Sequence, residues 1–288
     1  MPTLDRGLDG CLTGLPRSGT TLMCHYLNKL PNVVALFEPI LPPDYAGMER
    51  DQFLEKLKFF FATQRQQILA NGTATSKSQS GKIPINHLTD EVVDGTRIRL
   101  TNSRTLSVTN VDRLDFTLFI KDPSFIAGCL PWVAGEFPCF GSVRNPLSTL
   151  LSWRNSQLPI ERGRIPSAEM FSPELKATLS DDKRSVLDKQ FAILDFFFSR
   201  FREFLPGRVV RYEDVIASGG KALRVIHPSA ATLRESLKSR NENRITADPE
   251  ARAVADRLLD SDGPWWDHYT RDDVRRLLQG MPYDPAKW

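Results

Sequence analysis

The chain of 288 residues carries 38 Lys and Arg against 35 Asp and Glu, a formal net charge of +3, and 41% of its residues are hydrophobic. A chain of this length and apolar content can bury a substantial core, so we expect one globular domain over residues 1–288. The charge is only mildly basic and no run of Lys or Arg stands out, which argues against a protein that binds nucleic acid.

Apolar runs alternate with helical patterns along the chain. Strands are predicted at 8–13, 33–37, 116–121, 137–143 and 207–211. The clearest helical patterns cover 19–29, 50–70 and 183–204. An apolar stripe on the last of these helices should pack on the sheet, and it consists of Leu187, Phe191, Leu194, Phe198 and Phe201. The alternation predicts an α/β fold, a three-layer sandwich with a central parallel sheet.

The segment 71–82, with the sequence NGTATSKSQSGK, is rich in glycine, serine and threonine and has almost nothing to bury. We expect a mobile loop there. Its place between the second and third predicted strands would suit a flap over a substrate site, although an inert surface loop is the simpler expectation.

A phosphate-binding loop is indicated between the first strand and the first helix. The apolar run from Leu8 to Leu12 is followed by Gly14-Leu15-Pro16-Arg17-Ser18-Gly19-Thr20-Thr21. In a P-loop nucleoside triphosphate hydrolase, a lysine that reaches the β- and γ-phosphates follows the second glycine, but here that position holds Thr20. Backbone N–H groups and the helix dipole can still hold one phosphate. The loop therefore predicts a P-loop-like fold and a nucleotide with a single 5′-phosphate.

A second polar segment follows the fourth predicted strand. In Phe140-Gly141-Ser142-Val143-Arg144-Asn145-Pro146, Arg144 lies where the strand ends, and Asn145 and Pro146 suit the start of a helix. Ligands bind at that edge of a parallel sheet. Ser152, eight residues after Arg144, and Ser148, one turn earlier, lie on the same face of this helix.

These segments resemble the sulfotransferases that use 3′-phosphoadenosine 5′-phosphosulfate (PAPS), in particular their bacterial and carbohydrate-type branch. The similarity extends to the K-D-P step at Lys121-Asp122-Pro123 and to the R-Y-E-D sequence at 211–214. The matching segments follow the family's order and span residues 11 to 214, whereas 41–115 and the residues after 215 match weakly.

The resemblance implies PAPS as the sulfonyl donor and adenosine 3′,5′-bisphosphate as the product, without a metal. It assigns the donor's 5′ end to Pro16, Arg17, Ser18, Gly19, Thr20 and Thr21. It assigns the 3′-phosphate to Arg144 and Ser152, with Ser148 as the alternative serine. Arg244 is a weak candidate for a late contact with the nucleotide.

The same resemblance gives candidates for the chemical step. Glu38, in Leu36-Phe37-Glu38-Pro39 at the end of the second strand, is similar to the F-E-P element of members that use glutamate as the base. Other members use histidine, so His87 and His25 are alternatives. Lys121 and Arg17 would stabilise the transition state. Asp122 before Pro123 is more simply a helix N-cap than a magnesium ligand.

The function expected from these residues is direct in-line transfer of a sulfonyl group to an acceptor hydroxyl. A small-molecule kinase would share the loop, but it should keep the phosphate-reaching lysine and require magnesium. A non-catalytic nucleotide-binding module would keep the donor residues and dispense with Glu38.

The acceptor is expected to be a small-molecule or carbohydrate alcohol bound largely by residues 41–115. A basic lining would suit an acidic acceptor and a phenylalanine lining a lipid or phenol. The residues in question are Arg97, Arg99 and Arg104 on the one hand, and Phe59, Phe60 and Phe61 on the other. The aromatic segment from Trp265 to Tyr269 is expected to dock the C-terminal part of the chain rather than to close this pocket.

Two features bear on location. The first strand lies close to Met1, from which we expect neither a signal peptide nor a membrane span. The four cysteines lack the close spacing of a zinc site, and Cys11 and Cys24 have the apolar neighbours of buried thiols. We therefore expect a cytoplasmic protein, and the sequence does not indicate its oligomeric state.

Overall fold

A computed structural model of the chain describes residues 8–86, 88–93, 96–154, 156–239 and 250–281, with the backbone alone for residues 88–93 and 96–99. The strands are β1 (Asp9–Leu12), β2 (Val33–Phe37), β3 (Thr73–Ser78), β4 (Leu88–Val93), β5 (Thr96–Arg99), β6 (Ser103–Ser107), β7 (Thr117–Lys121), β8 (Cys139–Val143) and β9 (Val209–Arg211). The α-helices are α1 (Thr20–Leu27), α2 (Arg50–Asn71), α3 (Pro123–Val133), α4 (Pro146–Trp153), α5 (Pro166–Glu169), α6 (Pro173–Ser180), α7 (Val186–Phe204), α8 (Tyr212–Ala217), α9 (Ala251–Leu259) and α10 (Arg271–Leu278).

A five-stranded sheet in the order β2-β7-β1-β8-β9 forms the centre of the molecule, and helices flank it. All neighbouring strands in it run parallel. Its strands are the five predicted from the sequence, and the predicted α/β fold with a central parallel sheet is confirmed. Because the strands are parallel, their carboxyl ends share one edge, with β7 and β8 on the two sides of β1.

Helices cover both faces of a parallel sheet, so its strands are buried on both sides. Such strands are therefore apolar along their whole length, and they form the centre of the core. Every residue of β2, β7 and β8 is buried, including Lys121 at the end of β7. Helix α7 begins with a capping box of Ser185 and Asp188, and the predicted apolar stripe packs into the core. The phenylalanines of this stripe are therefore structural, as predicted.

The segment 71–82 differs from its prediction. Residues Thr73–Ser78 form strand β3, which pairs antiparallel with β6, so the expected loop is wrong for these residues. The inward side chains are Ala74, Ser76 and Ser78. They are small, and the Phe37 N–H donates to Ser76 Oγ at 2.9 Å, so a hydrogen bond replaces the apolar contact that usually marks a strand.

Buried apolar side chains from β1 to α10 belong to one continuous core cluster. Across the described ranges, none of the helices combines the length and the apolar character that a membrane crossing requires.

Candidate functional site

The residues singled out in the sequence gather at the carboxyl edge of the central sheet. The loop 13–19 follows β1, Glu38 follows β2, and Asp122 follows β7. Arg144 follows β8 in the same way. This arrangement results from the parallel strands alone, since each of these segments leaves the sheet at the same edge.

The loop after β1 is anchored on β8. Leu15 N donates to Ser142 O at 3.0 Å, and the hydroxyls of Ser18 and Ser142 lie 2.7 Å apart. Gly19 has a φ of 82°, and a Cβ there would lie 2.6 Å from Tyr212 Cδ2. Backbone conformation and close approach therefore both require glycine at this position.

Helix α1 begins at the end of this loop. Among the residues that the structure describes, no side chain caps its first turn, in which Thr20 and Thr21 lie. The backbone N–H groups of such a turn attract an anion, because they lack partners within the helix and carry the positive end of its dipole.

The two segments assigned to the donor contact each other directly. Arg144 Nη1 donates to Arg17 O at 3.1 Å, and Arg17 Nε donates to Ser152 Oγ at 3.4 Å. Arg17 has a φ of 72°, a left-handed conformation that a residue other than glycine seldom adopts. Such backbone conformations occur preferentially at functional sites.

Ser148 lies one turn before Ser152 on α4 and is also buried. Within the part of the chain that the structure describes, its Oγ has no hydrogen-bond partner. A buried hydroxyl without a partner is costly, which marks this position as a candidate contact for a ligand.

The R-Y-E-D segment at 211–214 contacts Arg144 and Asn145. The Arg144 guanidinium lies 4.9 Å from the centre of the Tyr212 ring, and Glu213 Oε1 accepts from Asn145 N at 3.0 Å. Asn145 in turn caps α4 by accepting from Leu147 N, as predicted. Tyr269 donates to Glu213 Oε2 at 2.7 Å, so the Trp265 to Tyr269 segment docks on the body of the protein.

Glu38 is held between two lysines. Its Oε1 lies 3.2 Å from Lys121 Nζ, and its Oε2 forms a close ion pair with Lys77. Its backbone N–H donates to Lys121 O at 2.7 Å, and its φ is 43°. Lys77 was missed in the sequence because it lies on β3, in the segment expected to be a loop. The other residues of β3 are all small, so the sequence carries no alternation of apolar and polar residues that would indicate a strand.

The two carboxyl groups at this edge have pKa values shifted in opposite directions. Burial alone would raise the pKa of Glu38, but the charges and hydrogen bonds of Lys121 and Lys77 outweigh it and lower the pKa to about 2. Burial, together with the negative charge of Glu38, raises the pKa of Asp122 to about 7. Asp122 also caps α3 by accepting from Phe125 N at 3.3 Å, as predicted.

A cavity of about 320 Å³ opens between the loop after β1 and these charged groups. Of the predicted site residues, six line this cavity: Pro16, Arg17, Thr20, Thr21, Glu38 and Lys121. Ser18, Gly19, Arg144 and Ser152 lie outside this lining. The loop and the candidate base thus line the same cavity. Arg144 and Ser152 do not line it, but each forms a hydrogen bond with Arg17, which does.

Of the two linings considered for the acceptor pocket, basic and phenylalanine, only the basic one has a residue in this cavity. Arg104 lines the cavity, whereas none of the three phenylalanines of α2 does. Phe59 is 73% exposed, and Phe61 is buried and stacks on Phe137. The side chains of Arg97 and Arg99, like Arg244, lie outside the described residues.

Of the two histidine alternatives, only His25 is a described residue, and it does not line this cavity. His25 lies in the last turn of α1, away from the loop, and its Nδ1 is 2.7 Å from Ile83 O. His87 lies outside the described residues.

The cysteines Cys11, Cys24, Cys129 and Cys139 are buried and free. In the described ranges no three His, Cys, Asp or Glu side chains come together as a metal site.

Comparisons with known proteins give a weak structural similarity. No family model matches the sequence, and no curated protein matches it. The sulfotransferase STF9 from Mycobacterium avium is 14% identical with a TM-score of 0.35, over 94% of this chain and 75% of that chain. The sulfotransferase STF1 from Mycobacterium tuberculosis H37Rv is 12% identical with a TM-score of 0.35, over 96% of this chain and 78% of that chain. At these TM-scores the similarity assigns no function to this chain.

Proposed function

We propose that this chain is an O-sulfotransferase that moves a sulfonyl group from PAPS to an acceptor hydroxyl. The observation that carries the proposal is the direct contact of Arg17 with both Arg144 and Ser152, beside a phosphate-binding loop that has Thr20 in place of lysine. This combination suits a nucleotide with one phosphate group at each of two positions better than a triphosphate chain.

The donor would bind along the carboxyl edge of β1 and β8. The N–H groups of residues 15 to 21 and the positive end of α1 would hold its 5′-phosphate. Arg144 and Ser152 would hold the 3′-phosphate, and the buried Ser148 hydroxyl without a partner supports a phosphate contact on the same helix. The proposal includes no metal.

Glu38 would act as the base. The acceptor oxygen attacks sulfur, its proton passes to the Glu38 carboxylate, and the bond between sulfur and the bridging oxygen of the donor breaks. Lys121 and Arg17, which line the same cavity, would stabilise the charge that develops on the bridging oxygen. The two lysines keep Glu38 ionised, as a base must be before reaction. Their ion pairs with the carboxylate have to weaken as it takes up the proton.

Calorimetric titration with adenosine 3′,5′-bisphosphate, and with ATP in the presence and absence of magnesium, tests this proposal. Wild type should bind the bisphosphate without metal, and Arg144→Ala should weaken that binding by at least about tenfold, because one charge-assisted contact contributes about 1.5–3 kcal/mol. Arg208→Ala is the matched control, since Arg208 precedes β9 at the opposite edge of the sheet.

Thermal unfolding of each variant separates loss of binding from loss of fold. Binding of magnesium-ATP in preference to the bisphosphate would replace the sulfotransferase with a kinase. Bisphosphate binding without transfer to any acceptor would favour a non-catalytic module. The single domain over 1–288 and the cytoplasmic location stay predictions.

A further inference from the structure

We propose that the acceptor carries an anionic group in addition to its reacting hydroxyl, and that Arg104 and Arg164 bind this anion. The inference rests on the proposed function and names the class of its acceptor: a compact alcohol or phenol with a carboxylate, sulfate or phosphate group. Both arginines line the cavity that also contains Glu38.

The other cationic side chains of the cavity already have assigned roles at Glu38 or in the loop after β1, whereas Arg104 and Arg164 have no assigned role toward the donor. Lys77 and Lys121 share the charge of Glu38, and Arg17 belongs to the loop after β1. Arg104 and Arg164 come from other segments, β6 and the turn before α5. An arginine at such a position attracts an anion because its planar guanidinium donates to two oxygens at once.

Arg104 is the stronger of the two contacts. One of its nitrogens, Nη2, donates to Pro39 O at 2.8 Å, which fixes the side chain beside the residue that follows Glu38. Among the described residues no carboxylate pairs with it, so its positive charge is available to a ligand. An exposed arginine fixed in this way loses less side-chain entropy on binding than a mobile one.

Arg164 is held in place by a buried carboxylate. Its Nε lies 3.0 Å from Glu169 Oε1, and its Nη2 donates to Glu169 Oε2. The Glu169 side chain is 4% exposed, whereas that of Arg164 is 40% exposed. Glu169 therefore orients the guanidinium and leaves its remaining nitrogen, Nη1, for a ligand.

The cavity lining also contains a set of apolar side chains. They belong to Phe37, Ile40, Leu41, Leu158, Ile160 and Ile165. An acceptor body of one ring, apolar on its faces and anionic at one end, would bury the surface of these side chains while its anion meets the arginines. The absence of the α2 phenylalanines from this lining argues against a long lipid chain.

The test is calorimetry with wild type saturated with adenosine 3′,5′-bisphosphate, so that binding and not turnover is measured. The probes are matched in shape and differ in charge: galactose against galacturonate and galactose 6-sulfate, and tyrosol against 4-hydroxyphenylacetate. We expect the anionic member of at least one set to bind about tenfold more tightly than its neutral analogue. The two galactose derivatives distinguish a carboxylate from a sulfate ester.

Three variants assign the effect. Arg104→Gln should abolish the preference for the anion, and Arg164→Gln should do so when combined with Glu169→Gln, which avoids an isolated buried charge. Arg162→Gln is the matched control, because Arg162 is exposed two residues away and does not line the cavity. Affinity for the bisphosphate should be the same in all of them.

Two outcomes would overturn the inference. If wild type does not bind the bisphosphate, the proposed function fails and the inference fails with it. If the bisphosphate binds but no anionic probe binds more tightly than its neutral analogue, or if the preference survives both arginine substitutions, the inference alone fails.

Discussion

Lys77 and Glu38 form an ion pair between two different sheets: Glu38 follows β2 of the central sheet, and Lys77 lies on β3, which forms a two-stranded sheet with β6. Lys121, from the neighbouring strand of the central sheet, holds the other oxygen of the same carboxylate. The charge state of the candidate base thus depends on a lysine from outside the sheet that positions it.

We predict that Lys77→Met raises the pKa of Glu38. An opposite charge in direct contact lowers a carboxyl pKa by about 1–3 units, so its removal should move the pKa up from about 2 by roughly one unit or more. Carbon NMR of the side-chain carboxyl, assigned with Glu38→Gln, measures this. Lys82→Met, an exposed lysine of the same segment, should leave the titration unchanged.

Glu38→Gln should leave the affinity for adenosine 3′,5′-bisphosphate within about twofold of wild type, because no donor contact is assigned to Glu38. Transfer to an acceptor should fall by about 10²–10⁴, the usual contribution of a general base. Calorimetry and single-turnover assays with PAPS measure the two effects. Equal losses in both would assign Glu38 to donor binding instead.

Replacement of the α4 serines distinguishes their roles. Ser152→Ala should weaken bisphosphate binding by about tenfold, since it removes the hydroxyl that we propose contacts the charged 3′-phosphate. Ser148→Ala should not lower the thermal stability of the unliganded protein, because its hydroxyl has no partner among the described residues. If Ser148→Ala weakens bisphosphate binding more than Ser152→Ala does, Ser148 is the phosphate ligand.

Gly19→Ala and Gly47→Ala form a matched pair for the loop after β1. Both glycines have positive φ, but a Cβ at Gly47 meets nothing within 4 Å, whereas one at Gly19 would lie 2.6 Å from Tyr212. We expect Gly47→Ala to cost about 1 kcal/mol of unfolding free energy. Gly19→Ala should cost roughly 1–3 kcal/mol more from the steric contact. Urea denaturation measures both, and equal costs would contradict the close packing of the loop on Tyr212.

Asp122→Asn should change how stability depends on pH. Because the folded pKa of Asp122 is raised to about 7 from an ordinary value of 3.8, its carboxyl costs stability as pH rises from about 4 to about 7. The asparagine keeps the N-cap of α3 without that charge. Relative to wild type, the variant should gain stability between pH 5 and pH 8, by up to about 4 kcal/mol. A constant difference between the two proteins over this range would show that Asp122 does not titrate there.

The sequence predicts the central sheet well because each strand of a parallel sheet is buried on both faces and reads as an apolar run. The same reasoning places Arg17, Glu38 and Arg144 at one edge, since each follows such a strand. Strand β3 cannot be predicted in this way, because its buried residues Ala74, Ser76 and Ser78 are small and give no alternation of apolar and polar residues. Lys77 lies on this strand and was missed for the same reason.

The acceptor region illustrates the same limit. Phe59, Phe60 and Phe61 are adjacent in sequence, yet a helix turns them to different faces, one exposed and one stacked on Phe137. Arg104 and Arg164 are far apart in the chain and meet the same cavity only through the packing of β6 and α5 around it. Local pattern carries no information about such a meeting.

The hydrogen bond from Arg144 to the carbonyl of Arg17 joins residues 127 positions apart. During synthesis, the first strand and its loop leave the ribosome long before Arg144 and Ser152 exist, so the nascent chain cannot form the proposed donor site until β8 has paired with β1. A nucleotide that binds there stabilises only the assembled sheet, in proportion to the logarithm of its concentration. If PAPS is the donor, as proposed, its concentration in the cell adds to the stability of the newly made chain once the sheet has assembled.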